Sequence, residues 1–254
     1  MDQLIDILND LARRAGEITL KYFQTRLDII TKSDNSPVTI ADRETEQFLR
    51  SEIARLFPDD TIIGEEFGES GGKPGARRWI IDPIDGTKSF IHGVPLYGVM
   101  MGVEDDGEII AGVVNLPAMG EIVIARRGQG CWWNGRRARA SATEHLSDAL
   151  VLTSDVASNY KHGKGAQWER ITSRARLVRT WGDCYGHLLV ATGRAGVMID
   201  PIMSPWDCAA LKIICEEAGG TFTDYDGKPT IYSCCAIATN GALFDEVMKL
   251  VHGQ

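Results

Sequence analysis

Apolar residues recur every three to four positions in two stretches near the N-terminal end of the chain, which is the spacing of one face of an α-helix. The first stretch predicts an amphipathic helix with apolar positions at Leu4, Leu8, Leu11, Ala12, Ala15 and Ile18. The second predicts a helix that starts near Thr39, because Thr39 and Asp42 resemble a capping box with Asp in the usual place of Glu. Its inward positions are Ala41, Thr45, Phe48, Leu49, Ile53 and Leu56, with Pro58 just beyond its end.

From Trp79 onward the pattern changes to short apolar runs that are typical of strands. Residues 79–81 form such a run, and Pro83 predicts its end because proline has no amide to donate to a sheet. Asn134 followed by Gly135 indicates a two-residue hairpin. Further strands are predicted at residues 94–103, 108–115, 121–126, 197–200, 221–224 and 235–239. Helices are predicted at residues 183–194 and 206–218, with two glycines ending the second.

Helices and strands come in blocks rather than in strict β-α-β alternation, which indicates α+β layers. The glycine-rich residues 70–76 predict a mobile surface loop. A length of 254 residues fits one domain with a sizeable core, built from two coupled halves. A soft boundary at residues 138–148 places these halves at about 1–140 and 141–254.

The composition is that of an ordinary soluble globular protein, with 44% hydrophobic and 24% charged residues. A formal net charge of −8 and the lack of a basic stripe argue against nucleic-acid binding. The N-terminal residues do not resemble a signal peptide and no apolar run reaches the length of a membrane span, so we expect a cytoplasmic protein without membrane partners. The six cysteines form no C-x-x-C pair, which predicts buried free thiols.

Carboxylates follow or open apolar segments at three places. Glu65 and Glu66 come after one apolar run, Asp82 and Asp85 come after another, and Asp207 opens the second of the two later helices. Singly, these are consistent with a solvated pair, an aspartate-rich turn and a first-turn charge of a helix. Together they offer only oxygen donors, which favours Mg²⁺ first and Mn²⁺ second over zinc.

Residues 82–88 combine candidate metal ligands with an anion site. A tight turn that Gly86 permits can direct the carboxylates of Asp82 and Asp85 to one point, with the carbonyl oxygen of Ile84 between them. A helix is predicted to begin at Gly86, and the amides of a helix N-terminus are suited to phosphate. The sequence therefore predicts a metal site next to a phosphate site.

Four motifs lie in order along nearly the whole chain. They are V-T-x-A-D at residues 38–42, G-E-E at 64–66, D-P-I-D-G-T at 82–87, and W-D-x-A-A at 206–210 with E-A-G-G at 217–220. The set resembles the signatures of the inositol monophosphatase superfamily, whose members are Mg²⁺-dependent, lithium-sensitive phosphatases. Each motif is weak evidence alone, whereas the ordered set is specific.

The resemblance implies a single catalytic domain with the layered αβαβα sandwich of the inositol monophosphatase/fructose-1,6-bisphosphatase type, and a homodimer. It implies a metal and phosphate site in the first half, and a substrate pocket with the Asp207 helix in the second. The implied metal ligands are Glu65, Asp82, the carbonyl of Ile84, Asp85 and Asp207. Asp42 and Thr87 fall where the family positions the attacking water, and Asp200 where it places an acidic substrate contact.

Within the superfamily the chain most resembles the histidinol-phosphate phosphatases of the inositol-monophosphatase type, through residues 86–96, 130–135, 182–187 and 200–207. Lys88 and Ser89 stand where inositol-specific members have a pair that contains Asn. The resemblance implies hydrolysis of L-histidinol phosphate to L-histidinol and phosphate, a step of histidine biosynthesis. The alternatives are an inositol-1-phosphate or broad sugar-phosphate phosphatase of this superfamily, and a non-catalytic regulatory member of the fold.

The implied mechanism uses two or three Mg²⁺ ions and direct attack by water. Thr87, hydrogen-bonded to Asp42, is expected to orient this water and to help to remove its proton, and Glu65 is counted as a third catalytic residue. Gly86 and Thr87 are expected to bind the phosphate. Because histidinol phosphate carries an amine and an imidazole, acids are expected at the far end of the pocket. Asp200 is the better candidate, and Asp183 is either the second or the cap of its helix.

Overall fold

The structure is a computed structural model that describes residues 3–31 and 37–254. Its helices are α1 (Gln3–Tyr22), α2 (Ile40–Leu56), α3 (Thr87–Ile91), α4 (Val156–Lys161), α5 (Gly165–Thr172), α6 (Asp183–Ala191), α7 (Pro205–Glu217) and α8 (Phe244–Val251). Its strands are β1 (Ile30–Thr31), β2 (Pro37–Val38), β3 (Thr61–Gly64), β4 (Gly68–Gly71), β5 (Arg78–Asp85), β6 (Gly98–Asp105), β7 (Glu108–Leu116), β8 (Glu121–Arg126), β9 (Gly130–Trp133), β10 (Arg136–Arg137), β11 (Leu150–Leu152), β12 (Leu177–Arg179), β13 (Val197–Asp200), β14 (Thr221–Thr223) and β15 (Ala236–Thr239).

The larger sheet has eight strands in the order β10-β9-β8-β7-β6-β5-β3-β4. Strand β5 lies inside this sheet and is buried on both faces, since successive side chains of a strand point to opposite sides. Trp79 and Ile81 pack with the apolar faces of α1 and α2, whereas Ile80 faces α7. The sheet therefore separates two helical layers, and its centre carries the D-P-I-D segment.

The smaller sheet has five strands in the order β12-β11-β13-β15-β14. Helices α6 and α7 share a core with one face of this sheet and with the larger sheet. Helices α5 and α8 pack on its other face. The layers are thus helix, sheet, helix, sheet, helix, which confirms the predicted αβαβα sandwich.

Helix α7 rests directly on the backbone of the larger sheet. A Cβ atom at Gly102 would lie 2.6 Å from Ala209 Cβ, and one at Gly112 would lie 2.9 Å from Ala210 Cα. Real Cβ atoms do not approach other atoms so closely, so any side chain at either position would displace the helix. This close seating fixes the height of the N-terminal end of α7, where Asp207 lies.

Several predicted elements are confirmed, including α1, α2, α7 and the hairpin between β9 and β10. Asn134 and Gly135 both have positive φ, as a type I′ turn requires. The prediction of a loop at residues 70–76 is wrong at its start, since Ser70 and Gly71 belong to edge strand β4, which pairs with β3. No helix among the described residues is long and apolar enough to cross a membrane.

Candidate active site

Asp82 and Asp85 project from a bulge in β5. Asp82 pairs with Met100 of β6 and Asp85 with Gly98, so three steps along one strand face two along the other. The prediction that Pro83 ends the strand is therefore wrong, because the shift in register leaves this proline outside the hydrogen-bond ladder. The bulge replaces regular pairing with a local bond in which Ile84 N donates to Asp82 Oδ1 at 3.0 Å.

Asp207 reaches the same place from another layer of the fold. It lies in the first turn of α7, and its Oδ2 accepts from the backbone N–H of Ser204 at 2.6 Å. Asp82, Asp85 and Asp207 each offer a carboxylate oxygen within 4.8 Å of the others. Convergence was predicted for four acids, Glu65, Asp82, Asp85 and Asp207, and the structure brings the last three together from two distant segments of the chain.

Burial and mutual repulsion disfavour the state in which all three carboxylates are ionised. Burial raises the pKa of Asp82 well above its ordinary value, and the nearby carboxylate of Glu65 raises it further. Burial also raises the pKa of Asp85, and Asp183 is the next cause. For Asp207, burial raises the pKa to about 7 despite the bond from Ser204. Such a group needs protons or a cation to offset its charge.

Glu65 stands beside this cluster because of how the strands pair. Strand β3 runs parallel to β5, and the last residue pair between them is Gly64 with Ile81. Glu65 and Asp82 are the next residues on the two chain segments. The charge of Glu65 contributes to the raised pKa of both Asp82 and Asp207. Glu65 and Asp207 also line one cavity of about 490 Å³.

Gly86 and Thr87 form another wall of that cavity. Gly86 has a φ of 83° and precedes the short helix α3, and a Cβ atom there would lie 2.9 Å from the carbonyl oxygen of Leu96. The hydroxyl of Thr87 donates to the carbonyl oxygen of Ile84 at 3.0 Å. The predicted helix start at this turn is confirmed, and Lys88 also faces the cavity.

Asp42 is buried in the first turn of α2. Its Oδ2 accepts from both the backbone N–H of Thr39 at 2.8 Å and the Thr39 hydroxyl at 2.7 Å. Its Oδ1 is buried with no hydrogen-bond partner among the described residues. Burial raises the pKa of Asp42 to about 6, against the bonds from Thr39, and Glu65 raises it further. The predicted hydrogen bond between Thr87 and Asp42 is not formed: the Thr87 hydroxyl donates to the carbonyl oxygen of Ile84, and Asp42 Oδ2 accepts from Thr39, while Asp42 Oδ1 keeps no partner within the described part of the chain.

The donor set fits a hard cation. The clustered ligand atoms are all carboxylate oxygens, and hard divalent cations such as Mg²⁺ prefer oxygen. The unpartnered Oδ1 of Asp42 adds a buried acceptor that a water near such an ion would satisfy.

The sequence profile of the inositol monophosphatase family matches residues 1–253. This chain belongs to the inositol monophosphatase family. A histidinol-phosphatase of Chlorobaculum parvum is 50% identical over 223 residues, which cover 87% of this chain and 86% of that protein. A histidinol-phosphatase of Mycobacterium tuberculosis is 38% identical over 94% of each chain. The solved structure of a Thermotoga maritima IMPase has a TM-score of 0.87, with 35% identity over 100% of this chain and 98% of its own.

Membership of the inositol monophosphatase family confirms the prediction of a phosphatase and gives the acid cluster its context. The family is generally metal-dependent, and among the described residues the carboxylates of Asp82, Asp85 and Asp207 form a cluster that could bind metal.

Two further acids lie beside the cluster of Asp82, Asp85 and Asp207. Asp183 and Asp200 line a cavity of about 190 Å³ together with Asp85 and Asp207. Asp183 is the first residue of α6, with Gly182 as the cap, so the reading of Asp183 as the cap is wrong. Its Oδ2 would lie 3.2 Å from a Cβ atom at Gly86. Burial raises the pKa of Asp183 to about 6, with Asp200 as the second cause.

Asp200 ends β13 with both carboxylate oxygens engaged. Oδ1 accepts from the backbone N–H of Ser154 at 3.0 Å, and Oδ2 is hydrogen-bonded to His187 Nε2 at 3.2 Å. No sequence signal points to His187, because it lies within an apolar helix and its partner is on a strand that is distant in the chain. The aromatic side chains of Trp181 and Tyr185, which flank this part of the sequence, line neither of the two cavities described above.

Proposed function

We propose that this chain is a Mg²⁺-dependent phosphatase that hydrolyses L-histidinol phosphate to L-histidinol and phosphate in histidine biosynthesis. One observation carries the choice of substrate: a second pair of acids, Asp183 and Asp200, lines the cavity next to the metal-type cluster. The negative charge of these two acids would attract a leaving group that carries an amine and an imidazole. It would not attract a neutral polyol to the same extent. The names of the two relatives above support the same substrate.

Two or three Mg²⁺ ions are proposed to bind here, with Mn²⁺ as a substitute. Their ligands would be Glu65, Asp82, the carbonyl oxygen of Ile84, Asp85 and Asp207. When bound, such ions make a water molecule nucleophilic near neutral pH and neutralise the charge of the phosphate. The carbonyl of Ile84 already accepts from Thr87, and a carbonyl oxygen has a second lone pair for a cation.

Asp42 is proposed as the group that accepts a proton from the attacking water, at its free Oδ1. With a pKa of about 6, the Asp42 carboxylate is mostly ionised at pH 7 and is still basic enough to accept a proton. Thr39 holds the other oxygen, so that Oδ1 keeps a fixed direction. Thr87 and Glu65, which both line the cavity of about 490 Å³, are proposed to orient the water.

The phosphate is proposed to lie against Gly86 and Thr87, with the ammonium of Lys88 nearby. From there the amine of the substrate would meet Asp183, whose Oδ2 is close to Gly86. Asp200 would lie next along the cavity, held by His187 and Ser154. In this proposed pose the two acids would follow the substrate from its phosphate end to its cationic end.

The experiment is phosphate release from a panel of substrates at fixed Mg²⁺: histidinol phosphate, inositol-1-phosphate, fructose bisphosphate and adenosine bisphosphate. We expect kcat/KM for histidinol phosphate to exceed the others by about 100-fold or more, and chelation of the metal to abolish the activity. A flat profile would favour the broad sugar-phosphate phosphatase, and preference for inositol-1-phosphate would favour that alternative. Absence of release from every substrate would favour a non-catalytic regulatory role.

The chain is further proposed to act as a cytoplasmic homodimer of single catalytic domains. Light scattering coupled to size-exclusion chromatography would test the dimer. Within the domain, residues 1–140 are proposed to provide the metal and phosphate site, and residues 141–254 the substrate pocket and the Asp207 helix. The segment between Arg137 and Leu150, which separates the two sheets, supports this division.

A further inference from the structure

Glu46 is a fully buried carboxylate on α2 that no step of the proposed reaction uses. It faces the turn between β3 and β4, which carries Glu65. Its Oε2 accepts from the backbone N–H of Glu66 at 2.7 Å, and its Oε1 accepts from that of Phe67 at 3.1 Å. One side chain of α2 therefore holds the two amides that directly follow Glu65.

Arg50, one turn further along α2, completes this contact. Its Nε donates to Glu46 Oε1 at 2.7 Å, and its Nη1 donates to the Ser70 hydroxyl at 2.6 Å. Its Nη2 donates to the carbonyl oxygen of Gly68. The pair thus binds both sides of the turn, and three donors offset the cost of burying the Glu46 carboxylate.

The backbone that precedes this turn packs closely against α2. A Cβ atom at Gly64 would lie 2.3 Å from Glu46 Oε1, so the carboxylate lies directly against the backbone that precedes Glu65. Glu65 is therefore bounded by Gly64 on one side and by two tethered amides on the other. Its side chain contributes charge to the cluster of Asp82 and Asp207 from this fixed base.

We propose that Glu46, supported by Arg50, is a positioning residue that sets Glu65 for cation binding. The inference rests on the proposed metal site. Glu46 acts through the backbone of the turn and touches neither ion nor substrate. Its loss would let the turn relax and would weaken the contribution of Glu65, because partners that orient a ligand commonly affect metal affinity about 10- to 100-fold.

The test uses the full chain, freed of metal by chelation, and Mg²⁺ alone as the titrant in calorimetry. In Glu46→Gln one acceptor oxygen becomes an NH₂ group that faces an N–H donor, so one tether is lost. We expect Mg²⁺ affinity to fall about tenfold or more, and the Mg²⁺ concentration for half-maximal phosphate release to rise by the same factor. At saturating Mg²⁺, kcat should stay within about threefold of the wild-type value.

Glu44→Gln is the matched control, because Glu44 lies on the exposed side of the same helix and accepts from the Tyr22 hydroxyl. Its Mg²⁺ affinity should equal that of the wild type. Unchanged Mg²⁺ affinity in a folded Glu46→Gln protein would overturn the proposal. So would a low kcat that no Mg²⁺ concentration restores, because general damage to the fold would then explain the loss.

Arg50→Lys covers the case in which Glu46→Gln fails to fold. Lysine keeps a cation beside Glu46 but cannot hold Ser70 and Gly68 at the same time. A smaller weakening of Mg²⁺ binding is expected, and unchanged affinity would overturn the proposal. Because calorimetry needs no substrate, failure of the chain to hydrolyse histidinol phosphate would reject the proposed substrate and leave this test intact.

Discussion

Thr39 donates two hydrogen bonds to a single oxygen of Asp42, from its backbone N–H at 2.8 Å and from its hydroxyl at 2.7 Å. Thr39, the N-cap of α2, therefore also orients the carboxylate of Asp42, a candidate catalytic group. The second oxygen of Asp42 is buried and unpartnered among the described residues, and Glu65 is close enough to raise its pKa. Local secondary structure and the proposed reaction share this one carboxylate.

The first prediction concerns Asp42→Asn. The side-chain oxygen of asparagine can still accept both hydrogen bonds from Thr39, so thermal stability should change little. Its amide cannot accept a proton from water, so kcat should fall about 10²- to 10⁴-fold. Steady-state kinetics and thermal unfolding of the same preparation measure both effects. Turnover close to that of the wild type would exclude Asp42 as the proton acceptor.

The second prediction concerns Asp85→Asn. The Asp85 carboxylate also accepts from the backbone N–H of Cys184, and an asparagine oxygen can accept that bond. The fold should therefore persist, while kcat falls about 100-fold or more through loss of a charged metal ligand. Asp106→Asn, at an exposed turn with positive φ that asparagine tolerates, is the control. Near-normal turnover of Asp85→Asn at saturating Mg²⁺ would reject Asp85 as an essential ligand.

The third prediction concerns pH and the metal. The pKa of Asp207 is raised from 3.8 to about 7 in the folded chain, so the folded state binds this proton more tightly than the unfolded state. The metal-free protein should therefore be most stable below about pH 4 with respect to this group, and should lose that stability as the pH rises to about 7. Mg²⁺ replaces the proton, so its stabilising effect should be larger at pH 8 than at pH 5.5. Thermal unfolding with and without Mg²⁺ at these pH values provides the measurement, and a pH-independent increment would contradict it.

The fourth prediction concerns the choice of substrate. Asp183→Asn removes the negative charge of a carboxylate whose Oδ2 would lie 3.2 Å from a Cβ atom at Gly86, and it keeps the size of the side chain. KM for histidinol phosphate should rise about tenfold, since a hydrogen-bonded charge contributes about 1.5–3 kcal/mol. KM for p-nitrophenyl phosphate, which has no amine, should change less than about twofold. Equal changes for both substrates would show that Asp183 does not recognise the cationic group.

The fifth prediction concerns His187→Phe. Phenylalanine removes the partner of Asp200 Oδ2 and leaves a buried acceptor unsatisfied, which costs about 1–3 kcal/mol of stability. A less restrained Asp200 should also raise KM for histidinol phosphate about tenfold while kcat changes less. His187→Gln, whose amide can donate, should recover part of both losses. A change in stability without a change in KM would limit His187 to a structural role.

Sequence motifs predicted the acids of the site well because each motif lies at a strand end or helix start, where local chemistry fixes the backbone. Asp82, Asp85 and Asp207 converge as the resemblance implied, and the layers of the fold follow from the same motifs. These motifs contain the clustered acids themselves, so recognising the motifs was sufficient to find the acids.

The supporting contacts were not predictable in the same way. Glu46 and His187 each join two elements that are distant in the chain, and neither produces a periodic signal. The bond between Thr87 and Asp42 was predicted wrongly because each residue found a nearer partner in its own turn. The strand through Pro83 was missed because a bulge depends on the neighbouring strand. Helices α4, α5 and α8 were also missed, since short helices carry few periods.

The seating of α7 on Gly102 and Gly112 has a consequence for variation in this chain. A methyl group at either glycine would act as a spacer under the helix and would move Asp207 away from Asp82 and Asp85. The protein could then fold and yet bind metal more weakly, although the substituted residue contacts none of the three clustered acids. The two glycines, in the middle of the larger sheet, thus set the distance between Asp207 and the aspartates of β5.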